Sequence, residues 1–329
     1  MNRRELILGA GALSACGPVS GAPLPAFPMQ RGVNLGNALE APNEGEWGYR
    51  IERAHLAAIA AAGFDGVRLP VRWDAHTEQR PPYVIAPAFL DRVDAIVADA
   101  LALGLKVQLD CHHYDALITA PDSERARFAA IWRQIADYFS ATSDALIFEP
   151  LNEPNGERWS GALLTTVQAE AVAAIRETNP TRLIVLGPGQ WQAIDALGPW
   201  RPPEDANLAM SIHYYEPHEF THENASWLGA DAPVYGREWG GPRDLGLVTR
   251  HADIASDWAV SHGMAWQLGE FGVNGAVPIE QRALWTRAVR QAFERDGAGW
   301  CVWDFAGAFP IWDTANESFI PEMLEALFD

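Results

Sequence analysis

Gly66-Val67-Arg68-Leu69, then Phe89, Val93, Ile96, Val97, Ala100 and Leu101 at helical spacing within Pro87–Leu103, then Lys106-Val107-Gln108-Leu109-Asp110: this stretch decides the fold. Two short apolar runs bracket one amphipathic segment, the pattern of a βαβ unit in a parallel sheet. Gly104 stands just after the helical stretch, where a left-handed cap is expected, and Gly63 closes the preceding one in the same way. Working outward, the unit recurs. Strands are expected at Gly32–Leu35, Gly66–Leu69, Lys106–Asp110, Leu146–Glu149, Leu183–Leu186, Leu208–Ser211, Trp266–Leu268 and Gly299–Trp303. Between them fall helical patterns at Ile51–Ala62, Pro87–Leu103, Ser123–Phe139, Leu163–Thr178, a short Trp191–Leu197, Leu247–His262 and Ile279–Arg295, with Pro321–Phe328 last. Eight such repeats predict an α/β fold, a single (β/α)8 TIM barrel over residues 31–329. The long Pro-, Gly-, His- and Trp-rich stretch from Pro217 to Gly246 reads as a wall of the site.

The 329 residues are 48% hydrophobic and 20% charged, a composition that excludes intrinsic disorder. The formal net charge of −19 disfavours nucleic acid and anionic lipid surfaces as partners but leaves neutral polymers open. Fourteen Trp offer flat apolar faces suited to sugar rings, although any one of them is first a core candidate. No apolar run is long enough to span a bilayer.

At the N-terminus Arg3 and Arg4 precede a short apolar run, Leu6 to Ala15, and then Leu13-Ser14-Ala15-Cys16. Residues 1–15 read as a lipoprotein-type signal peptide, with Cys16 the lipidated first mature residue and residues 16–30 an uncharged, Pro-rich tether. The expected location is therefore outside the cytoplasm: the bacterial cell envelope, as a lipoprotein in the periplasm or at the outer membrane, or the medium. Cys16, Cys111 and Cys301 are too few for a disulfide framework. Strand alternation points Cys111 outward and Cys301 inward, which disfavours a bridge between them.

Chemistry in such a barrel gathers at the C-terminal ends of the strands. Those ends carry Asn34 and Asn37, Arg68, His112 and His113, Asn152 and Glu153, Gln190, His213 and Tyr215, Glu270, and Trp303 with Asp304. Glu153 follows the fourth strand and Glu270 the seventh, on opposite sides of a closed barrel, so both can reach one ligand. Paired carboxylates across a cleft are what glycoside hydrolysis needs, one as acid and one to attack or to activate water. Arg68 is placed with Glu270, keeping that carboxylate ionised.

Together Arg31-Gly32-Val33-Asn34-Leu35-Gly36-Asn37, Gly63 to Pro70, Asp110-Cys111-His112-His113, Leu151-Asn152-Glu153-Pro154, His213-Tyr214-Tyr215, Leu268-Gly269-Glu270-Phe271-Gly272 and Trp300-Cys301-Val302-Trp303 resemble glycoside hydrolase family 5, the cellulase family. The resemblance covers about Arg31 to the end, in the family's order, and extends to broad-specificity endoglucanase/mannanase members. It implies a retaining endo-β-1,4-glycosidase acting by double displacement, with Glu153 as acid/base and Glu270 as nucleophile. Asn152 would bind the sugar 2-OH, Arg68 and Tyr215 would position Glu270, and His112 and His213 would complete the polar shell. Trp303 would stack on the sugar next to the scissile bond, with Asn37, Glu40, His113, His222 and Trp227 as further sugar contacts.

The first substrate expectation is β-1,4-glucan, soluble or mixed-linkage, with β-mannan or glucomannan as the alternative. No cofactor and no metal are expected, the competing metal reading resting on His112, His113, His213 and Asp110. A non-catalytic glycan-binding lipoprotein is the reading from another class. The expected state is a monomer without an appended carbohydrate-binding module, its partner a β-linked polysaccharide or oligosaccharide.

Overall fold

The computed structural model describes residues 24–329, and the expected signal peptide and Cys16 lie outside the described residues. Eight parallel strands close on themselves in sequence order. They are β1 (Arg31–Asn34), β2 (Gly66–Leu69), β3 (Lys106–Asp110), β4 (Leu146–Glu149), β5 (Ile184–Leu186), β6 (Leu208–Tyr214), β7 (Ala265–Phe271) and β8 (Gly299–Val302). β1 pairs with both β2 and β8, so the expected barrel is the observed one. Helices at Arg53–Ala61, Pro87–Ala102, Pro121–Tyr138, Ala162–Arg176, Pro242–His262, Ile279–Arg295 and Pro321–Phe328 cover the outside.

Alternation along the strands sorts side chains into two sets. Val33, Val67, Leu69, Val107, Leu109, Cys111, Phe148, Met210, Ile212, Leu268 and Trp300 face the helices in one large apolar cluster. Phe27, Met29, Ile147, Val185, Ala209, Ala265 and Cys301 form a second cluster, which fills the N-terminal end of the lumen. The two cysteines thus sit on opposite faces of the barrel wall, buried and unbridged. Phe27 and Met29 correct the expected tether: its last residues are a plug, fully buried beneath the barrel. Gly66 makes room for it, since a Cβ there would collide with Met29 Sδ.

Three further departures concern β6 and β7, the helix before β7, and the turn after β5. β6 and β7 continue past their expected ends, because Gly269 is a bulge and not a terminus. Ile212 pairs with Leu268, but His213 pairs with Glu270, so one extra residue turns Glu270 into the lumen. A Cβ at Gly269 would strike Ser211 Oγ, and glycine is what the bulge demands. The helix expected from Leu247 begins at Pro242, with the Asp244 carboxylate accepting the N–H groups of Gly240 and Gly241. The α-helix expected over Trp191–Leu197 is replaced by a turn at Gly189–Gln192 and a 3-10 turn at Ile194–Ala196, because Gln190 and Trp191 hold left-handed backbone conformations.

Candidate active site

Arg68 is the hub of the C-terminal end. Its guanidinium is fully buried, and every donor it aims has an acceptor. Nε donates to Glu149 Oε2 at 2.6 Å, and Nη1 to Glu270 Oε1 at 2.6 Å and Asn34 Oδ1 at 2.9 Å. Nη2 donates to Asn152 Oδ1 at 2.7 Å and meets Asp110 Oδ2 at 2.7 Å. One cation therefore fixes residues from β1, β3, β4 and β7 at once, with the planar fork that Lys lacks. Burial raises the Glu149 carboxyl, but Arg68 and the donors around it outweigh burial and hold it below the usual range. For Asp110 burial prevails over Arg68 and, helped by the Glu149 charge, pushes it up to about 8.

Glu270 takes a second donor on its other oxygen, Tyr215 O–H to Oε2 at 2.9 Å. Glu153 has one close partner, His213 Nδ1, 2.7 Å from Oε1, and the same nitrogen lies 3.5 Å from Glu270 Oε2. Oxygens of the two carboxyls and the His213 nitrogen lie within 4.8 Å of one another. Burial pushes both carboxyls up to about 7, against a downward pull from Arg68 on both and, on Glu270, from His213 and the Tyr215 hydroxyl as well. Like charges this close resist joint ionisation. Two donors on Glu270 against one on Glu153 decide that Glu270 ionises first.

Asn152, its Oδ1 held by Arg68, turns Nδ2 toward His112 Nε2 at 3.5 Å. His112 Nδ1 then carries the ring proton and donates to Asp110 Oδ2 at 3.0 Å. Burial holds this imidazole neutral. Its ring lies parallel to that of the half-buried Trp303, 2° apart and 5.5 Å between centroids. His113 meets the exposed Trp47 edge-on at 6.0 Å, and burial lowers it to about 3. His222 is likewise lowered to about 3 by burial and the neighbouring His218; it packs between Tyr215 and Phe309, with Trp227 beside it and 53% exposed.

Asn37 donates Nδ2 to Asp304 Oδ2 at 2.6 Å. Glu40 is a correction: it is buried beneath this loop, where its carboxyl accepts the backbone N–H groups of Asn37 and Ala38, and so holds the loop instead of facing a sugar. Burial raises it to about 8. The metal set imagined from His112, His113, His213 and Asp110 does not gather. Among the described residues, ligand-like spacing occurs only at Glu153, His213 and Glu270.

Some site residues escaped the sequence reading. Glu149, two residues before Leu151 and one before Pro150, faces inward by simple strand alternation, which would have found it. Trp47 and Trp191, 45% and 54% exposed, stand on the β1 and β5 loops at the same end of the barrel. Both sit in Gly-rich contexts, Gly45 to Gly48 and Gly187 to Gly189. Gln192 is wholly buried, and its Oε1 accepts the Glu153 N–H at 2.9 Å.

A parallel barrel with a half-buried and a buried carboxyl converging at the C-terminal ends of β4 and β7, and half-exposed indoles around them, defines a glycoside hydrolase. The family model for cellulase, glycosyl hydrolase family 5, matches residues 27–308, and the chain belongs to this family. Endoglucanase H of Acetivibrio thermocellus is 35% identical over 308 residues, covering 92% of this chain. The chain spans 33% of that relative's length and 31% of the length of the Cellulase/esterase CelE of the same organism. Endoglucanase A of Ruminococcus albus is 29% identical and is covered over 84% of its length, against 88% of this chain. Among solved structures, endoglucanase Cel5A of Thermotoga maritima superposes with a TM-score of 0.87 at 37% identity, over 91% of this chain and 97% of that one.

Proposed function

We propose that this chain is a retaining endo-β-1,4-glucanase. The observation that carries the reading is the asymmetry of two carboxyls with oxygens within 4.8 Å, Glu270 buried and held by Arg68 and Tyr215, Glu153 half-buried and held by His213 alone. Retaining enzymes keep their two carboxyls about 5–5.5 Å apart. In the first step Glu270 attacks the anomeric carbon, the glycosidic C–O bond breaks, and Glu153 gives its proton to the departing oxygen. In the second, water attacks the same carbon, Glu153 takes the water's proton, and the Glu270 ester bond breaks. On this reading Asn152, fixed by Arg68, would meet the 2-OH, and the half-buried Trp303 would offer its ring to a sugar. Glucan comes first because the relatives are named endoglucanases.

Mannan is the second reading, favoured by one observation: structures of T. maritima Cel5A were solved with cellobiose and also with mannotriose. Glucose and mannose differ at C2, the hydroxyl that Asn152 would meet on this reading. We also propose, from the sequence of residues 1–16, that the protein is exported and carries lipid on Cys16; mass spectrometry of the natural N-terminus tests it.

The deciding experiment measures reducing-sugar release from carboxymethyl cellulose, barley glucan and glucomannan by the parent and by Glu270→Ala, with NMR of the first anomer formed. Activity that the variant lacks, with the β-anomer first, supports the reading. Folded parent protein that binds these polymers and cuts none overturns it in favour of a glycan-binding lipoprotein.

A further inference from the structure

Gln190, Trp191 and Gln192 hold φ of 53°, 58° and 56°, three consecutive non-glycine residues in the left-handed region. Such a run persists only where its surroundings over-determine it, and strain of this kind gathers at functional sites. What fixes it here is the loop that carries Glu153, itself at φ 45°. Each residue of the turn is tied to that loop. Gln190 Nε2 donates to Gly156 O at 3.1 Å, Trp191 N to Pro154 O at 3.3 Å, and the Glu153 N–H donates to Gln192 Oε1 at 2.9 Å.

Gln192 does more than cap an amide. Its Nε2 faces Ser211 O at 3.4 Å and Glu149 Oε1 at 3.5 Å, and Glu149 is the carboxylate that Arg68 Nε holds. The side chain thus bridges the backbone of Glu153 and the network that holds Glu270. Gly187 is kept bare for it, since a Cβ there would collide with the amide. A φ of 56° is where glycine would be expected, yet this chain places a long amide there and buries it completely.

We propose that Gln192 is a positioning residue for Glu153: by holding the Glu153 N–H on a strained elbow, its amide sets where the proton-donating carboxyl stands relative to Glu270. This rests on the reading of Glu153 as acid/base. A proton donor works only within hydrogen-bond reach of the leaving oxygen, and a misplacement of about 1 Å can cost about a hundredfold. Among the described residues Gln192 is the one acceptor of the Glu153 N–H, so without it that donor loses its protein partner and the elbow is free to rotate.

The test compares kcat/KM, which reports the first chemical step, on cellotriose and on 2,4-dinitrophenyl β-cellobioside, whose leaving group needs no proton. Gln192→Gly suits the left-handed backbone and removes the amide; Gln192→Asn keeps an amide one methylene short. Gln192→Gly is expected to lose about tenfold or more on cellotriose and less than about twofold on the dinitrophenyl substrate, with Gln192→Asn between it and the parent. Equal loss on both substrates, or no loss on either, overturns the proposal. If Gln192→Gly does not fold, the same two patterns in Gln192→Asn decide. Glu153→Gln is run alongside: a loss there that ignores the leaving group overturns the acid/base reading itself, whatever Gln192 does.

Discussion

The two ends of the barrel lumen follow opposite rules. At the N-terminal end Phe27, Met29, Ile147, Val185, Ala209, Ala265 and Cys301 pack with no charge among them. At the C-terminal end Arg68 is set against Asp110, Glu149 and Glu270. The change takes two residues: β4 points Ile147 into the first layer and Glu149 into the second, and β6 runs Ala209, Ser211, His213 inward. The lower layer contributes to stability by burial alone, with no charge that needs a partner. The upper layer is stable only jointly, because every buried charge depends on another for its partner. The apolar end therefore offsets what the polar end costs.

Substitutions at the two ends should separate activity from stability. The largest effect expected is from Glu270→Ala, which removes the attacking group: kcat/KM on glucan falls about 10⁴-fold or more, while the fold is kept at some cost in melting temperature, because Arg68 retains Asp110 and Glu149 as partners. A folded variant that keeps the parent's turnover would remove Glu270 from the nucleophile role. Arg68→Met is expected to cost both properties. It leaves Asp110, Glu149 and Glu270 buried without their cation, and urea unfolding should show about 3–5 kcal/mol of lost stability together with lost turnover. Met29→Ala is the mirror image: about 2–5 kcal/mol of stability lost to a cavity at the far end, with kcat/KM unchanged. A change in turnover there would mean that the two layers are mechanically linked.

The same contrast explains how much could be read from the sequence. Ile279–Arg295 and Pro321–Phe328 are observed at their expected bounds, because helical periodicity and flanking Pro and Gly act locally. The inward set on β2 and β3, with Arg68 and Asp110, follows from a period of two. What escaped depends on contacts far apart in the chain. Gly269 looked like a strand terminus, because only its register against β6 reveals a bulge. Glu40 looked like a sugar contact, because nothing in its neighbours shows the loop folding over it. No local pattern announces Gln190 and Trp191 in left-handed conformations, since that strain is held by the Glu153 loop 34 to 39 residues away. Phe27 and Met29 did carry a signal, two apolar residues at strand spacing inside a Pro-rich stretch.

The smallest expected effect is also the one that assigns roles within the polar end. Attack requires Glu270 ionised, so activity rises as pH climbs through its value; departure requires Glu153 protonated, so activity falls as pH climbs through that of Glu153. Burial pushes both up to about 7. Because the charges stand within 4.8 Å, the pair titrates in two steps, one on each side of that value. Parent kcat/KM should therefore be bell-shaped around neutrality. On the dinitrophenyl substrate, whose leaving group needs no proton, the alkaline limb should be absent and the acid limb kept, in the parent and in Glu153→Gln alike; an alkaline limb kept there with the acid limb lost would exchange the two roles. Tyr215→Phe removes one donor to the Glu270 carboxylate, so the acid limb should move up by roughly one unit or less, about 1.4 kcal/mol at most. Met29→Ala, at the other end of the lumen, should leave both limbs where they were, since no charge in the apolar layer faces the pair.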